Sequence, residues 1–144
     1  MASLYLIAHI NGARVAIDSD RIESLVHVNE VVPVPQSDPS IAGLFALRSR
    51  VLTLIDSQYI VTGQTQPMAK GALAVVAEIG GHHFGLLVDA VEDVVSIGDH
   101  QIETSIKPPK LWASLVTATA SVDGELVMIL DPACLVNGPE ALAA

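Results

Sequence analysis

The chain has 144 residues, of which 51% are hydrophobic and 16% are charged, and its net charge is −9. This composition provides ample apolar material for a core and too little charge for a disordered chain. Seven Lys and Arg residues stand against 16 Asp and Glu residues. The excess of acid would repel a phosphate backbone, which argues against nucleic acid as a partner.

The apolar residues come in short blocks, far below the roughly 20 residues that a membrane-spanning helix needs, so we expect no direct membrane insertion. Residues 1–10 show no basic stretch followed by an apolar run and a small-residue cleavage site. We therefore expect no secretory signal and a cytoplasmic protein. Cys134 is the only cysteine, which excludes an intramolecular disulfide, and its apolar neighbours predict a small buried side chain.

Runs rich in Val, Ile and Leu, bounded by Gly, Asn, Asp or Pro, predict short strands and turns. In the first half the predicted strands cover residues 4–10, 14–18, 21–28, 42–47 and 50–55. Asn11-Gly12 predicts a tight hairpin between the first two strands. Prolines 33, 35 and 39 predict an extended connection over residues 32–39. Asp56 predicts the N-cap of one or two helical turns that end near Val61.

Residues 64–71, which include Pro67, predict a surface linker, and beyond it the same order of elements returns. A loop with Pro108-Pro109 and a short helix or turn from Asp131 are also predicted. The predicted strands of this half cover residues 72–79, 82–88, 90–97, 115–122 and 125–130, with turns at residues 80–81 and 123–124.

The order of elements returns because the sequence repeats. Residues 10–28 match residues 79–97 at a shift of about seventy positions without a gap, and a slightly larger shift matches residues 51–61 with 126–136. We predict one domain over residues 1–144, with two pseudo-repeated subdomains that meet near residues 62–71. Two units of about five short strands indicate two closed barrels, because closure hides strand edges. A crevice between them would be a natural docking site.

No pattern predicts a catalytic or metal site. His82 and His83 are adjacent on a predicted strand, so their rings point to opposite faces and are poorly placed to share an ion. Asp56, Asp89 and Asp131 each end or follow an apolar strand, and the repeat makes the first and last equivalent, which favours capping roles over catalysis. The sequence also lacks a nucleophile elbow, a P-loop and a Rossmann glycine pattern. We expect no cofactor, no metal and no enzyme activity. An enzyme that uses Asp89 or Asp56 with a histidine is the weakest hypothesis.

Two features could contact a protein partner. Arg48 and Arg50 follow an apolar strand and flank Ser49 in a predicted tight turn, which would expose at least one guanidinium beside apolar surface. Arginine is favoured in interfaces for its planar fork, although a solvated turn arginine is an equal alternative. Trp112, the only tryptophan, either anchors a partner or caps a barrel, and we favour the cap.

Several blocks resemble CheW-like domains. Residues 85–97 are similar to that family's Gly-Leu-x-Val-Asp-x-Val-x-Glu-Val block. Residues 32–35, 41–48 and 51–56 resemble its proline-rich connection, its Asn-Leu-Arg-Gly turn and the strand after it. Residues 123–131 resemble its last strand and Leu-Asp ending. The matches run in order from about Tyr5 to Val136, which is nearly the whole chain.

The resemblance implies an all-β fold of two intertwined five-stranded SH3-like barrels with short helical turns. It also implies a non-catalytic adaptor that links the cytoplasmic tips of chemoreceptors to the regulatory domain of the histidine kinase CheA. In the family the arginine of the turn belongs to the receptor-facing region, and this role carries over to Arg48. Leu47 and Arg50 are the neighbouring receptor-contact candidates, and the kinase-contact residues stay unassigned.

The sequence departs from the family pattern at several positions. Ala46 and Ser49 replace the Asn and Gly of the turn, Thr53 replaces a proline, Asp93 a glutamate, and Ala118 stands where glycine is common. Because a non-glycine residue at position 49 disfavours positive φ, we expect a reshaped turn that aims the arginine differently. A divergent CheW paralogue in another signalling array and a β-barrel that binds a small apolar ligand are the alternatives.

Overall fold

The structure is a computed structural model that describes residues 2–33, 40–64, 71–104, 112 and 115–133. Predicted features at residues 34–39, 65–70, 105–111 and 134–144, including Cys134, lie outside this part. The described elements, in chain order, are β1 (Ala2–Ile10), β2 (Ala13–Asp18), a 3-10 turn (Ser19–Arg21), β3 (Ser24–Val28), β4 (Ile41–Leu47), β5 (Arg50–Ile55), α1 (Ser57–Thr62), β6 (Ala72–Ile79), β7 (His82–Val88), β8 (Ala90–Gly98), a 3-10 turn (Asp99–Gln101), β9 (Ile102–Glu103), β10 (Val116–Val122) and β11 (Glu125–Leu130).

The strands form two sheets, and each sheet takes strands from both halves of the chain. The six-stranded sheet has the order β8-β1-β2-β11-β10-β9, and the five-stranded sheet has the order β3-β6-β7-β5-β4. Neighbouring strands are antiparallel except for one parallel pair in each sheet, β2 with β11 and β5 with β7. The expected all-β fold of two intertwined barrels with short helical turns is therefore confirmed.

Tight turns with positive φ join the antiparallel hairpins. Asn11 and Gly12 have φ values of 51° and 78°, and Asp123 and Gly124 have values of 52° and 78°. Two successive positive φ values are typical of a type I′ turn, whose twist matches that of the flanking strands. The hairpin predicted from Asn11-Gly12 is confirmed, with the pair Ile10 and Ala13 closing it.

The strand registers of the two sheets correspond at the positions that the sequence repeat matches. Leu25 pairs with Val75 in the five-stranded sheet, and Val94 pairs with Leu6 in the six-stranded sheet. The parallel pairs correspond in the same way: Thr53 with Phe84, and Met128 with Val15. The division into two subdomains that meet near residues 62–71 stays a prediction, because residues 65–70 lie outside the described part.

Three apolar clusters make up the core. One lies between the two sheets and takes residues from both, such as Val15 and Met128 from one sheet and Val75 and Leu86 from the other. Each of the other two clusters belongs to a single sheet. Alternate residues of β1 and β6 fall in different clusters, because successive side chains of a strand point to opposite faces.

Side-chain caps explain where the short helical segments begin. Asp56 accepts a hydrogen bond from the backbone N–H of Tyr59 at 3.1 Å, which starts α1 where the sequence predicts it. The third strand begins at Ser24 and not at position 21 as predicted. The Asp18 carboxylate accepts from the backbone N–H of Asp20, and this bond directs residues 19–21 into a 3-10 turn. The second 3-10 turn and β9 were not predicted.

Gly43 lies so close to the connection at Val31 and Val32 that a side chain does not fit, and its replacement by alanine should destabilise the fold. Its φ is 151°, and an added Cβ would lie 2.4 Å from Val31 Cγ1 and 2.7 Å from the carbonyl oxygen of Val32. The adjacent Leu44 forms a two-bond backbone bridge with Val32, which this clash would disturb. We expect Gly43→Ala to lower the free energy of unfolding by about 2 kcal/mol or more in urea denaturation.

Gly124→Ala is the matched control, because Gly124 also has a positive φ but an added Cβ would meet open space. This variant should lower the free energy of unfolding by only about 1 kcal/mol, because alanine disfavours the positive φ but meets no steric clash. Equal losses in the two variants would contradict the steric role of Gly43.

Candidate functional site

The β4–β5 hairpin carries the three residues that the sequence nominates for receptor contact. Leu47 pairs with Arg50 across the hairpin, so Arg48 and Ser49 form its two-residue turn. Leu47 is half-buried, whereas Arg48 and Arg50 are exposed. The structure therefore brings all three candidates together at one end of the five-stranded sheet.

The positive φ of the turn lies at its first position and not at the second, in line with the expectation that serine at position 49 disfavours positive φ. The φ of Arg48 is 60°, and Ser49 is not among the residues with positive φ. Positive φ at the first turn position alone is the pattern of a type II′ turn, which needs no glycine at the second position. Serine at position 49 is thus compatible with a tight hairpin that presents Arg48 at its tip. Among the described residues, Arg48 makes no hydrogen bond or ion pair.

An apolar groove with a volume of about 500 Å³ lies beside the hairpin. Val32 and Val51 are 65% and 68% exposed there, which is unusual for large aliphatic side chains. Polar groups of His27, Asn29 and Glu30 also line the groove. Its apolar lining consists of Val28, Val32, Leu44, Phe45, Ala46, Leu47 and Val51.

The floor of the groove is fixed by the barrel interior. Phe45 is only 6% exposed and belongs to the apolar cluster of the five-stranded sheet. Gly85 lies directly behind its ring, and an added Cβ would come within 2.8 Å of Phe45 Cε1. The absence of a side chain at Gly85 therefore gives the phenyl ring its place beneath the groove.

Arg50 belongs to an ionic cluster, so its guanidinium is less available to a partner than that of Arg48. Its guanidinium donates to Glu23 at 3.2 Å and lies 2.7 Å from His83 Nε2. His83 Nε2 in turn lies 2.9 Å from Glu23 and 3.6 Å from Glu78. The ligand atoms of Glu23, Glu78 and His83 lie within 4.8 Å of one another, a spacing that could hold a metal ion. The guanidinium of Arg50 already supplies positive charge to these carboxylates.

A second ionic cluster occupies the corresponding place in the six-stranded sheet. Arg14 donates to Glu92 at 2.9 Å and also to Glu125, and His9 lies 2.6 Å from Glu92. The hydrogen bonds of His9 and then of Arg14 lower the pKa of Glu92. Each cluster ties together strands that are distant in sequence, with residues 9 and 92 in one and residues 23 and 83 in the other.

The remaining nominated residues have structural positions. Trp112 is 4% exposed in the cluster between the sheets, which agrees with a structural role and leaves little of it for a partner. Asp56 is 3% exposed and caps α1, and Asp131 accepts from the backbone N–H of Ala133 at 2.9 Å. The backbone N–H of Asp89 donates to the carbonyl of His9.

The groove and the barrel interiors bear on the apolar-ligand alternative. The interiors are filled by packed aliphatic side chains such as Leu54 and Val127, which are fully buried. A further cavity of about 190 Å³ is lined in part by the charged residues Asp18, Arg21 and Asp131. Neither the filled barrel interiors nor this partly charged cavity resembles the enclosed apolar pocket that a small apolar ligand would occupy. No helix of the described residues has the length and apolarity needed to cross a bilayer.

Sequence reasoning identified the hairpin but missed the groove. Its walls come from two separate stretches, the connection around Val32 and the strands on either side of Arg48. The exposure of Val51 could not be predicted from the sequence, because an apolar residue at the start of a strand normally indicates burial. The pairing of Val32 with Leu44 brings the two stretches together.

Comparisons with known proteins agree with this architecture. The family model of the CheW-like domain matches residues 4–140. The chain is 27% identical over 122 residues to the chemotaxis protein CheW of Thermotoga maritima, covering 85% of this chain and 80% of that protein. It is 25% identical over 101 residues to the chemotaxis protein CheW of Rhizobium meliloti, covering 69% of this chain and 64% of that protein.

A solved structure shares the fold. The crystal structure of the scaffolding protein TtCheW from Thermoanaerobacter tengcongensis superposes with a TM-score of 0.82 at 23% identity. The match covers 96% of this chain and 91% of that one.

The ionic cluster around Glu92 should make the free energy of unfolding decrease as the pH becomes acidic. The pKa of Glu92 lies below its ordinary value of 4.5 in the folded chain, so folding favours the carboxylate form. Its contribution is present above about pH 4.5 and is lost as the pH falls through the lower, folded pKa. In urea denaturation, Glu92→Gln should therefore lose less stability than the wild type between about pH 6 and about pH 3.

Glu30→Gln is the control, because it removes an exposed carboxylate that makes no ion pair among the described residues. It should keep the wild-type dependence on pH. A Glu92→Gln variant that follows the wild-type curve would show that the cluster does not contribute.

Proposed function

The chain belongs to the CheW-like family and is a chemotaxis coupling adaptor, and we propose that it joins the cytoplasmic tip of a chemoreceptor to the regulatory domain of the histidine kinase CheA. The observation that carries the receptor half of this proposal is the exposed Arg48 turn beside the apolar groove. An adaptor needs affinity without chemistry. We therefore propose that it works without catalysis, in the cytoplasm where these partners meet.

The turn and the groove complement each other as a binding surface. Apolar side chains from one face of a receptor helix can bury against Val32, Leu47 and Val51, which would remove exposed apolar surface from water. The guanidinium of Arg48 can pair with a carboxylate or a backbone carbonyl of that helix. The apolar contacts supply affinity, and the charge supplies orientation and specificity.

The proposed binding to the kinase is supported by the family relationship between the two partners. The family resemblance implies that the regulatory domain of CheA contains a CheW-like domain of its own and that an apolar barrel surface joins the two. The alternatives of a ligand-binding barrel and of a paralogue in another array have no supporting observation in the described residues.

Reversal of the charge at Arg48 should weaken receptor binding. We expect Arg48→Asp to raise the Kd for a soluble receptor-tip fragment about tenfold or more, because the side chain would repel the carboxylates that it now attracts. Aspartate tolerates a φ of 60° better than arginine does, so the free energy of unfolding should change by no more than about 0.5 kcal/mol. Calorimetric titration and a thermal melt give the two measurements.

Arg21→Gln is the matched control, since Arg21 is exposed but pairs with Asp131 in another part of the molecule. It should keep wild-type receptor affinity. An unchanged Kd in Arg48→Asp would refute the role assigned to Arg48.

Titration with the regulatory domain of a CheA kinase from the same genome tests the kinase half. We expect saturable binding at roughly micromolar affinity or tighter, as suits a specific protein interface. If no such kinase from that genome binds, the family assignment stands, but the chain serves a different signalling array.

A further inference from the structure

Two hairpins occupy equivalent places in the two sheets. The turn of the β4–β5 hairpin leads into β5, which runs parallel to β7. The turn of the β10–β11 hairpin leads into β11, which runs parallel to β2. The equivalence extends to single residues, because Thr53 and Met128 hold the same register in these parallel pairs. The turn sequences 48–51 and 123–126 therefore stand at matching positions.

The matching positions carry opposite charges. Arg48 at the tip of one hairpin corresponds to Asp123 at the tip of the other, and Arg50 corresponds to Glu125. The side chains of Arg50 and Glu125 are 58% and 68% exposed. The repeat thus preserves the position of the turn and inverts its charge, while the turn types differ, with positive φ at both Asp123 and Gly124 but only at Arg48 in the other turn.

The next position is apolar and exposed in both hairpins. Val51 is 68% exposed and Leu126 is 55% exposed, although strand residues of this size are usually buried. Each hairpin consequently offers the same combination, a charged tip next to an exposed aliphatic side chain.

The acidic hairpin keeps its negative charge despite its ion pair. Glu125 pairs with Arg14, but the same guanidinium also binds Glu92, which His9 contacts as well. Asp123 adds a further carboxylate at the tip. A partner with a basic side chain would find uncompensated negative charge here.

We infer that the β10–β11 hairpin is a second docking surface, which takes a protein surface that presents a basic side chain beside an apolar one. The inference rests on the proposed function and assigns this surface to the kinase regulatory domain, the partner that the Arg48 hairpin does not take. Opposite charges at equivalent hairpins keep the two partners from exchanging places, because each would meet a like charge at the wrong hairpin.

Two matched double variants test the assignment. Asp123→Asn with Leu126→Ser removes the charge and the apolar contact of one hairpin, and asparagine keeps a residue type that tolerates the φ of 52°. Arg48→Gln with Val51→Ser makes the corresponding changes in the other hairpin. Calorimetry would measure the affinity of each variant for the CheA regulatory domain and for the receptor-tip fragment at two salt concentrations.

We expect the first variant to weaken kinase binding about tenfold or more and to reduce its dependence on salt, with receptor affinity unchanged. Asp20→Asn is the control for the loss of an exposed carboxylate. Asp20 follows the end of β2 opposite to Arg14, so it lies away from the β10–β11 turn, and it should leave both affinities unchanged.

The results separate the inference from the function on which it rests. If the wild type binds both partners and the Asp123 and Leu126 variant keeps its kinase affinity, the hairpin assignment is overturned while the adaptor role stands. The assignment also fails if each double variant weakens both partners equally, or if the first variant abolishes only self-association of this chain. If the wild type binds neither partner, the proposed function fails first.

Discussion

The apolar layer between the two sheets is the constraint on which the rest of the structure depends. Strand β1 places Ala8 in this layer and Ile7 in the cluster of its own sheet, and β6 does the same with Val75 and Ala74. Either sheet alone would expose one fully apolar face to water, at about 25 cal/mol for each Å² exposed. Because each sheet also takes strands from both halves of the chain, the two barrels depend on each other for stability.

This shared core leaves the outer ends of the strands free to diverge. Core positions that the repeat matches stay aliphatic or aromatic, as Val15 and Phe84 or Ile17 and Leu86 do. Outer positions can reverse their charge, as Glu125 and Arg50 show within the two ionic clusters. The fold can therefore present two hairpins at equivalent positions with different charge without loss of packing.

Local signals in the sequence predict most of the fold. Turn residues such as Asn11-Gly12 and the cap at Asp56 act within a few residues, so the hairpins and α1 follow from them. The start of β3 could not be predicted, because the bond between the Asp18 side chain and the backbone of residue 20 competes with an apolar strand pattern. The groove depends on the pairing of Val32 with Leu44, and pairings between distant segments leave no local pattern.

The backbone of the turn itself supports a binding role for Arg48. Three non-glycine residues of the described part have positive φ, and Asn11 and Asp123 are of types that tolerate it. Arginine has no such tolerance, and its side chain lies exposed without a partner among the described residues that would offset the cost. Folding thus gives no reason for an arginine at this position. The receptor contact that we propose for Arg48 at the edge of the groove would supply one.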